Sequence, residues 1–203
     1  MIGLSGAHRT GKSSLARAFA EKHGIPFVET SASQVFKDLG IDPAATHDFS
    51  TRLTVQEEIL KRFDAMYAKY PGEAITDRTP LDMLAYTLAE AVGNAVSQED
   101  QARFKKYIES CIFVTNRRFS TILVVQPGIP VVWAEGKAAL NDAYIEHLNS
   151  LILGLACDER IKPAHFYIPR DMTDMDERIS ALESAVWRTK KRADSEYQGV
   201  MRH

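Results

Sequence analysis

The sequence predicts a three-layer α/β fold on a mostly parallel five-stranded sheet, and three observations carry that expectation. Short apolar runs alternate with longer segments whose apolar residues recur at helical spacing, as strands joined by crossover helices do. Thr121-Ile122-Leu123-Val124-Val125 is an apolar, β-branched run without alternation, the pattern of a strand covered by helices on both faces. A glycine-rich turn separates the first apolar run from the first helical segment.

In order along the chain, residues 2–5 form the first strand, and Leu15, Ala16, Phe19 and Ala20 mark a helix beginning at Ser13 and stopped by Gly24. Residues 25–29 form a second strand, with Pro26 near its start, where a missing amide is tolerated. Leu53, Leu60, Phe63, Tyr67 and Tyr70 line a long helix from Ser50, which Pro71-Gly72 ends before a third strand at 74–76. Thr79-Pro80 starts the next helix, because threonine caps free amides and proline at the first position has none to leave unpaired. Its inward residues are Leu81, Leu84, Ala85, Leu88 and Val92.

Ser97 and Asp100 open a further helix with an apolar stripe of Phe104, Tyr107, Ile108, Cys111 and Ile112, followed by the strand at 120–126. Leu140, Tyr144, Leu148, Leu151 and Leu155 predict one side of another helix, and residues 165–168 a fifth strand. A last helix begins at Asp174 and faces inward with Met175, Ile179, Leu182 and Val186; Arg188 to Arg192 is its basic end.

The 203 residues, 45% apolar and 26% charged, are the size of one domain, and no Gly-, Pro- or Ser-rich linker divides residues 1–203. Twenty-five Lys and Arg against 27 Asp and Glu leave a net charge of −2, which gives no support to a nucleic-acid coat or a polybasic membrane anchor. No apolar stretch has the length of a membrane span and no signal-peptide run opens the chain, so a cytoplasmic protein without a membrane partner is expected. Cys111 and Cys157 read as buried free thiols.

Gly6-Ala7-His8-Arg9-Thr10-Gly11-Lys12-Ser13, continued by Ser14, matches the phosphate-loop pattern and lies between a predicted strand and a predicted helix, as its mechanism requires. The glycines let the backbone wrap around phosphate oxygens, and the loop amides and helix start supply partial positive charge. Lys12 then reaches the terminal phosphates of ATP, and Ser13 holds magnesium. A glycine turn with a solvent-facing lysine is the competing structural reading. With this loop the fold class becomes that of a P-loop NTPase.

Asp77 and Arg78 stand at the carboxyl end of the third strand, on the same sheet edge as the loop if all strands are parallel. Asp77 there positions magnesium or accepts an acceptor hydroxyl proton, and Arg78 neutralises charge on the moving phosphoryl group; a salt bridge at the helix start is the structural alternative. Glu29, at the end of the second strand, is a candidate to bind or deprotonate a substrate hydroxyl. Phe36 and Arg52 are weaker substrate-binding candidates, for stacking and for phosphate or base contact.

These residues resemble the small P-loop nucleoside and nucleotide kinases, in particular the AAA_28 and ribosylnicotinamide kinase-like group. The similarity lies in the phosphate loop, in Glu29 after strand two, in Asp77-Arg78-Thr79, which is similar to the Asp/Glu-Arg-Ser/Thr segment of deoxynucleoside kinases, and in residues 124–132 leading into a lid. The resemblance implies ATP and Mg2+ as cofactors and a lid at about 127–147 that closes over the substrates. Lids of this group carry arginines; here residues 131–147 offer Lys137, so either Lys137 takes that part or Arg117, Arg118, Arg160 or Arg170 folds in.

The expected function is ATP-dependent phosphoryl transfer to a nucleoside or nucleotide acceptor. One alternative is a kinase for a modified base of hydroxymethyl type in DNA, with Arg188, Lys190, Lys191 and Arg192 as a backbone-binding patch. Another is a nucleotide-hydrolysing switch or regulatory ATP-binding module. A homodimer stays open.

Overall fold

Five parallel strands, β1 (Ile2–Ser5), β2 (Phe27–Val28), β3 (Ile75–Thr76), β4 (Thr121–Val125) and β5 (Ala164–Ile168), form one sheet in the order β2-β3-β1-β4-β5. Seven helices connect or flank them: α1 (Lys12–His23), α2 (Ala32–Asp38), α3 (Phe49–Tyr67), α4 (Pro80–Glu90), α5 (Gln98–Arg118), α6 (Asp142–Ala156) and α7 (Met175–Val200). The computed structural model describes residues 1–43, 45–91, 96–130 and 141–200.

The sheet divides the core in two, because successive strand residues point to opposite faces. Ile122 and Val124 of β4 face the layer of α3, α4, α5 and α6, whereas Leu123 and Val125 face α1 and α7. All five residues of β4 are buried, as its lack of alternation implies. Parallel pairing brings the carboxyl ends of β1, β2, β3 and β4 to one edge, where Ser5 leads into the glycine-rich loop and Thr76 into Asp77.

Thr79 caps α4 in a full capping box with Asp82, and Asp48, Ser97 and Asn141 cap α3, α5 and α6. Several expectations are revised. The seven-residue α2, not foreseen, buries only Val35, too little apolar periodicity to read in sequence. Helix α3 stops at Tyr67, and Tyr70 lies beyond it, still partly buried against the core.

The inward face of α6 is Ile145, Leu148, Asn149, Ile152 and Ala156, while Leu151 and Leu155 are partly buried beside it; apolar residues on two adjacent rows made the choice ambiguous. Cys111 is buried, but Cys157 is exposed at the carboxyl end of α6, beside the Tyr167 hydroxyl. Val92 and Leu140 lie outside the described residues. Among the described residues, no helix is long and apolar enough to cross a membrane.

Helix α7 runs on to Val200 with no basic residue in its last turn, so Arg188 to Arg192 is a stretch within the helix and not its end; it stands at the amino edge of the sheet. Lys190 pairs with Glu73, just before β3, and Arg188 and Arg192 line a hollow with Lys162, Pro163 and His165 at the start of β5. In a parallel sheet this is the edge opposite the glycine-rich loop.

Candidate functional site

The glycine-rich loop leaves β1 and bends hard at Gly6 (φ 150°) and again at Gly11 (φ 83°), both conformations that a side chain disfavours. Gly6 also lies so close to β4 that a Cβ there would stand 2.4 Å from the Val125 carbonyl oxygen. His8, Arg9 and Thr10 span the turn between them, and Thr10 donates to the Ala7 carbonyl at 3.1 Å. Unlike α3, α4, α5 and α6, α1 begins without a side-chain cap, so its first amides are not taken by a capping side chain. Ser13 and Ser14 are exposed on that first turn.

A buried carboxylate in the first turn of α4 holds the loop in place. Asp82 accepts the Gly6 amide (2.8 Å) and the Thr79 amide (2.8 Å), and the Ser5 and Thr79 hydroxyls lie 3.0 and 3.1 Å from the same group. Lys12 is buried within the loop, where its ammonium donates to the carbonyls of Gly6 (2.7 Å) and Ala7 (2.5 Å). Burial lowers its pKa to about 8, with Arg78 adding to the fall and Asp82 and Asp77 opposing it.

Ser13 and Asp77, predicted to share a metal, are in contact. Ser13 Oγ donates to Asp77 Oδ2 at 2.5 Å, and Thr30 Oγ1 donates to Asp77 Oδ1 at 3.1 Å. A hydroxyl and a carboxylate at the mouth of a phosphate loop are hard oxygen donors of the kind magnesium takes together with phosphate oxygens and water, so the residues present fit that ion. Among the described residues no cluster of three or more His, Cys, Asp or Glu side chains could hold a metal by itself.

Arg78 follows on the same segment, which Tyr67 fixes by donating its hydroxyl to the Arg78 carbonyl at 2.9 Å. The Arg78 guanidinium lies over the ring of Tyr86, 5.6 Å from its centroid. Tyr86 in turn places its hydroxyl 3.2 Å from Nδ1 of His8, and Tyr144 of α6 stands edge-on to Tyr86 and 6.1 Å from the His8 ring. Burial first, then the charges of Lys12, Arg9 and Arg78, push the His8 pKa down, so its ring is neutral near pH 7. Burial and nearby Glu90 push Tyr144 up to about 12, while Arg52 opposes the rise. The result is an aromatic and cationic wall beside the loop, on the α3–α6 side of the sheet.

The remaining candidates have other partners, although the charge of Arg52 reaches Tyr144 of this wall. Glu29 is 64% exposed in its side chain and pairs with Arg17 of α1 at 3.3 Å, while the next residue, Thr30, is the one that reaches Asp77. Phe36 is partly buried against the core, and Arg52 donates to the Ala45 carbonyl at 3.1 Å. Lys137 and residues 131–140 of the expected lid lie outside the described residues.

Of the alternative lid cations, Arg117 and Arg118 hold Asp64, and Arg160 holds Asp158 and Glu109. Arg170 follows β5 on the loop edge and binds Glu146 through two short bonds (2.5 and 2.6 Å). The cation that reaches the loop is one sequence reasoning missed. Arg178, in the first turn of α7, is fully buried and donates to the Thr10 carbonyl at 3.0 Å and to the Met172 carbonyl at 2.7 Å.

The same fold occurs in deoxyadenosine kinase from M. mycoides with bound dATP, which is 16% identical with a TM-score of 0.64 over 91% of this chain and 98% of that one. The form of that kinase carrying dCMP and a flexible dCDP is 18% identical, with a TM-score of 0.62 and 91% and 97% coverage. NadR protein in complex with NAD and AMP-PNP is 15% identical with a TM-score of 0.61, over 91% of this chain and 48% of NadR. At these identities the likeness establishes the P-loop kinase-like fold. No curated protein matches the chain in sequence. The AAA_28 family model, described as an AAA domain, matches residues 1–152, three quarters of the chain and all of the phosphate-loop apparatus up to α6. By that match, the chain belongs to the AAA_28 family.

Proposed function

We propose that the protein transfers the terminal phosphoryl group of ATP to an oxygen of a nucleoside or nucleotide. The observation that carries this reading is the 2.5 Å contact between Ser13 and Asp77, which joins the phosphate loop to a carboxylate whose neighbour, Arg78, belongs to the aromatic wall. A phosphate loop alone serves hydrolysis as well as transfer. A loop bordered by the side chains of His8, Arg78, Tyr86 and Tyr144 has aromatic faces and a cation against which a flat, hydrogen-bonding acceptor would pack.

In this reading the triphosphate lies along the loop amides and the first turn of α1, and Lys12 leaves its carbonyl partners for the terminal phosphates. Ser13 and Asp77 hold magnesium, which when bound neutralises charge on the phosphate oxygens. Arg78 faces the charge that spreads over the phosphoryl group in transfer, and Asp77 stands within the same cluster to orient the acceptor hydroxyl. Tyr86 and Tyr144 stack against the acceptor and keep water from competing. The acceptor class also rests on the nucleotides bound by the deoxyadenosine kinase and the NAD bound by NadR.

Incubating the protein with magnesium and γ-labelled ATP against separate nucleosides, nucleoside monophosphates and hydroxymethylated DNA tests the reading. Label on a free nucleoside or nucleotide is expected. Label on DNA alone would move the acceptor to a base in a polymer, although the basic stretch of α7 stands at the far sheet edge from the loop. Label found only as inorganic phosphate would replace the kinase with a hydrolytic switch.

A further inference from the structure

Arg178 presents a physical problem that its helix does not solve. It is fully buried, and none of the salt bridges among the described residues gives it a carboxylate. Its Nε and one terminal nitrogen donate to the carbonyls of Met172 and Thr10, and the other terminal nitrogen, NH2, is buried with no hydrogen-bond partner. A buried charge with an unmade hydrogen bond is costly, so a group held in this state is expected to have a counter-charge in the functional form of the molecule. Burial has already drawn the guanidinium below the usual arginine range, without removing its charge.

The position of Arg178 identifies that counter-charge. Its Nη1, the nitrogen already bonded to the Thr10 carbonyl, lies 3.0 Å from where a Cβ would project from Gly11, the residue before Lys12, and the unpartnered Nη2 belongs to the same planar guanidinium. It reaches the loop from the α1–α7 side of the sheet, whereas Arg78, Tyr86 and Tyr144 border the loop from the α3–α6 side. In phosphoryl transfer the attacking and leaving oxygens lie roughly in line through phosphorus. With the acceptor on the Tyr86 side, the leaving nucleoside diphosphate lies on the opposite side of the loop, where Arg178 stands.

We propose that Arg178 is a donor-nucleotide residue, which braces the loop through the Thr10 carbonyl and offers its buried NH2 group to a phosphate oxygen of the donor. This rests on the kinase reading and assigns the cation for the leaving side of that same site. It also links the start of α7 to the occupancy of the loop, since the phosphates and the Met172 carbonyl share one guanidinium.

Calorimetric titration of the full chain with magnesium and AMP-PNP, and separately with adenosine, tests the assignment in wild type, Arg178→Met and Arg178→Lys. Arg178→Met is expected to weaken AMP-PNP binding by about tenfold or more, the scale of a lost charge-assisted bond, while adenosine binding changes by less than about twofold. Arg178→Lys, which keeps the charge, is expected to recover part of the AMP-PNP loss. An Arg178→Met protein that melts lower but binds AMP-PNP as wild type does, or loses AMP-PNP and adenosine equally, would reduce Arg178 to a structural brace. If Arg178→Met does not fold, Arg178→Lys decides: weaker AMP-PNP binding with an unchanged acceptor KM supports the proposal, and unchanged AMP-PNP binding overturns it. Wild type that binds no AMP-PNP at all would instead remove the kinase reading.

Discussion

Asp82 accepts a 2.8 Å hydrogen bond from the backbone amide of Gly6, across 76 positions of sequence. The same carboxylate closes the capping box of α4, so one buried group ties the first bend of the phosphate loop to the helix that carries Tyr86. Loop shape and the aromatic wall are therefore set together.

Replacing Asp82 with alanine leaves the Gly6 and Thr79 amides buried without their acceptor. The expected cost is ~3 kcal/mol, or about 6–12 °C of melting temperature in a chain of this length, checked by thermal unfolding. Nucleotide affinity should fall in the protein that remains folded, because the loop loses its anchor. A melting temperature within a degree or two of wild type would show that Asp82 is not holding the loop.

Lys12 is expected to make nucleotide binding depend on pH. Its folded pKa of about 8 lies below its ordinary value of 10.5, so folded and unfolded chains are both protonated at this group below pH 8. Between about 8 and 10.5 the unfolded chain keeps a proton that the folded chain has lost, and this group's contribution to stability rises with pH across that window. A bound triphosphate favours the charged lysine, so above pH 8 binding takes up a proton and affinity falls by up to about tenfold per pH unit. Calorimetry in buffers of different ionisation enthalpy measures that proton directly. Lys12→Ala should remove the dependence and cut turnover by about a hundredfold or more.

Asp77 and Glu29, both candidate catalytic carboxylates, occupy separate positions. Asp77→Asn should lower turnover by at least about a hundredfold, while changing the melting temperature little, because it keeps the shape that Ser13 and Thr30 contact. Glu29→Gln removes a surface pair with Arg17 and should leave turnover within about twofold. A large loss in turnover for Glu29→Gln, with Asp77→Asn near wild type, would exchange their roles.

Tyr86 joins Arg78, His8 and Tyr144, so Tyr86→Leu should raise the acceptor KM by about tenfold while leaving AMP-PNP binding unchanged. Steady-state kinetics with varied acceptor reads this. Equal losses in donor and acceptor binding would mean that Tyr86 supports the loop and does not line a substrate cleft.

What sequence reading captured is local. The strand runs, the glycine-rich loop and the Thr79-Pro80 helix start each declare themselves within a few residues, through periodicity or backbone chemistry. The pairing of Ser13 with Asp77 was also legible, because parallel strands bring their carboxyl ends to one edge. Contacts made by topology alone were not. Asp82 reaches back 76 positions to Gly6, and nothing near Arg178 in sequence signals a loop 168 positions before it. Beyond β2, Glu29 stands on the surface beside Arg17, and it is the next residue, Thr30, that reaches Asp77.

The central claim is that this loop hands its phosphoryl group to an acceptor and not to water. Phosphorus NMR of ATP with the wild-type protein and magnesium, recorded with and without a nucleoside or nucleotide acceptor, should show ATP consumption that depends on the acceptor and yields one phosphorylated acceptor per ADP. The same rate of ATP loss in both samples, with every lost phosphoryl group appearing as inorganic phosphate, would contradict it.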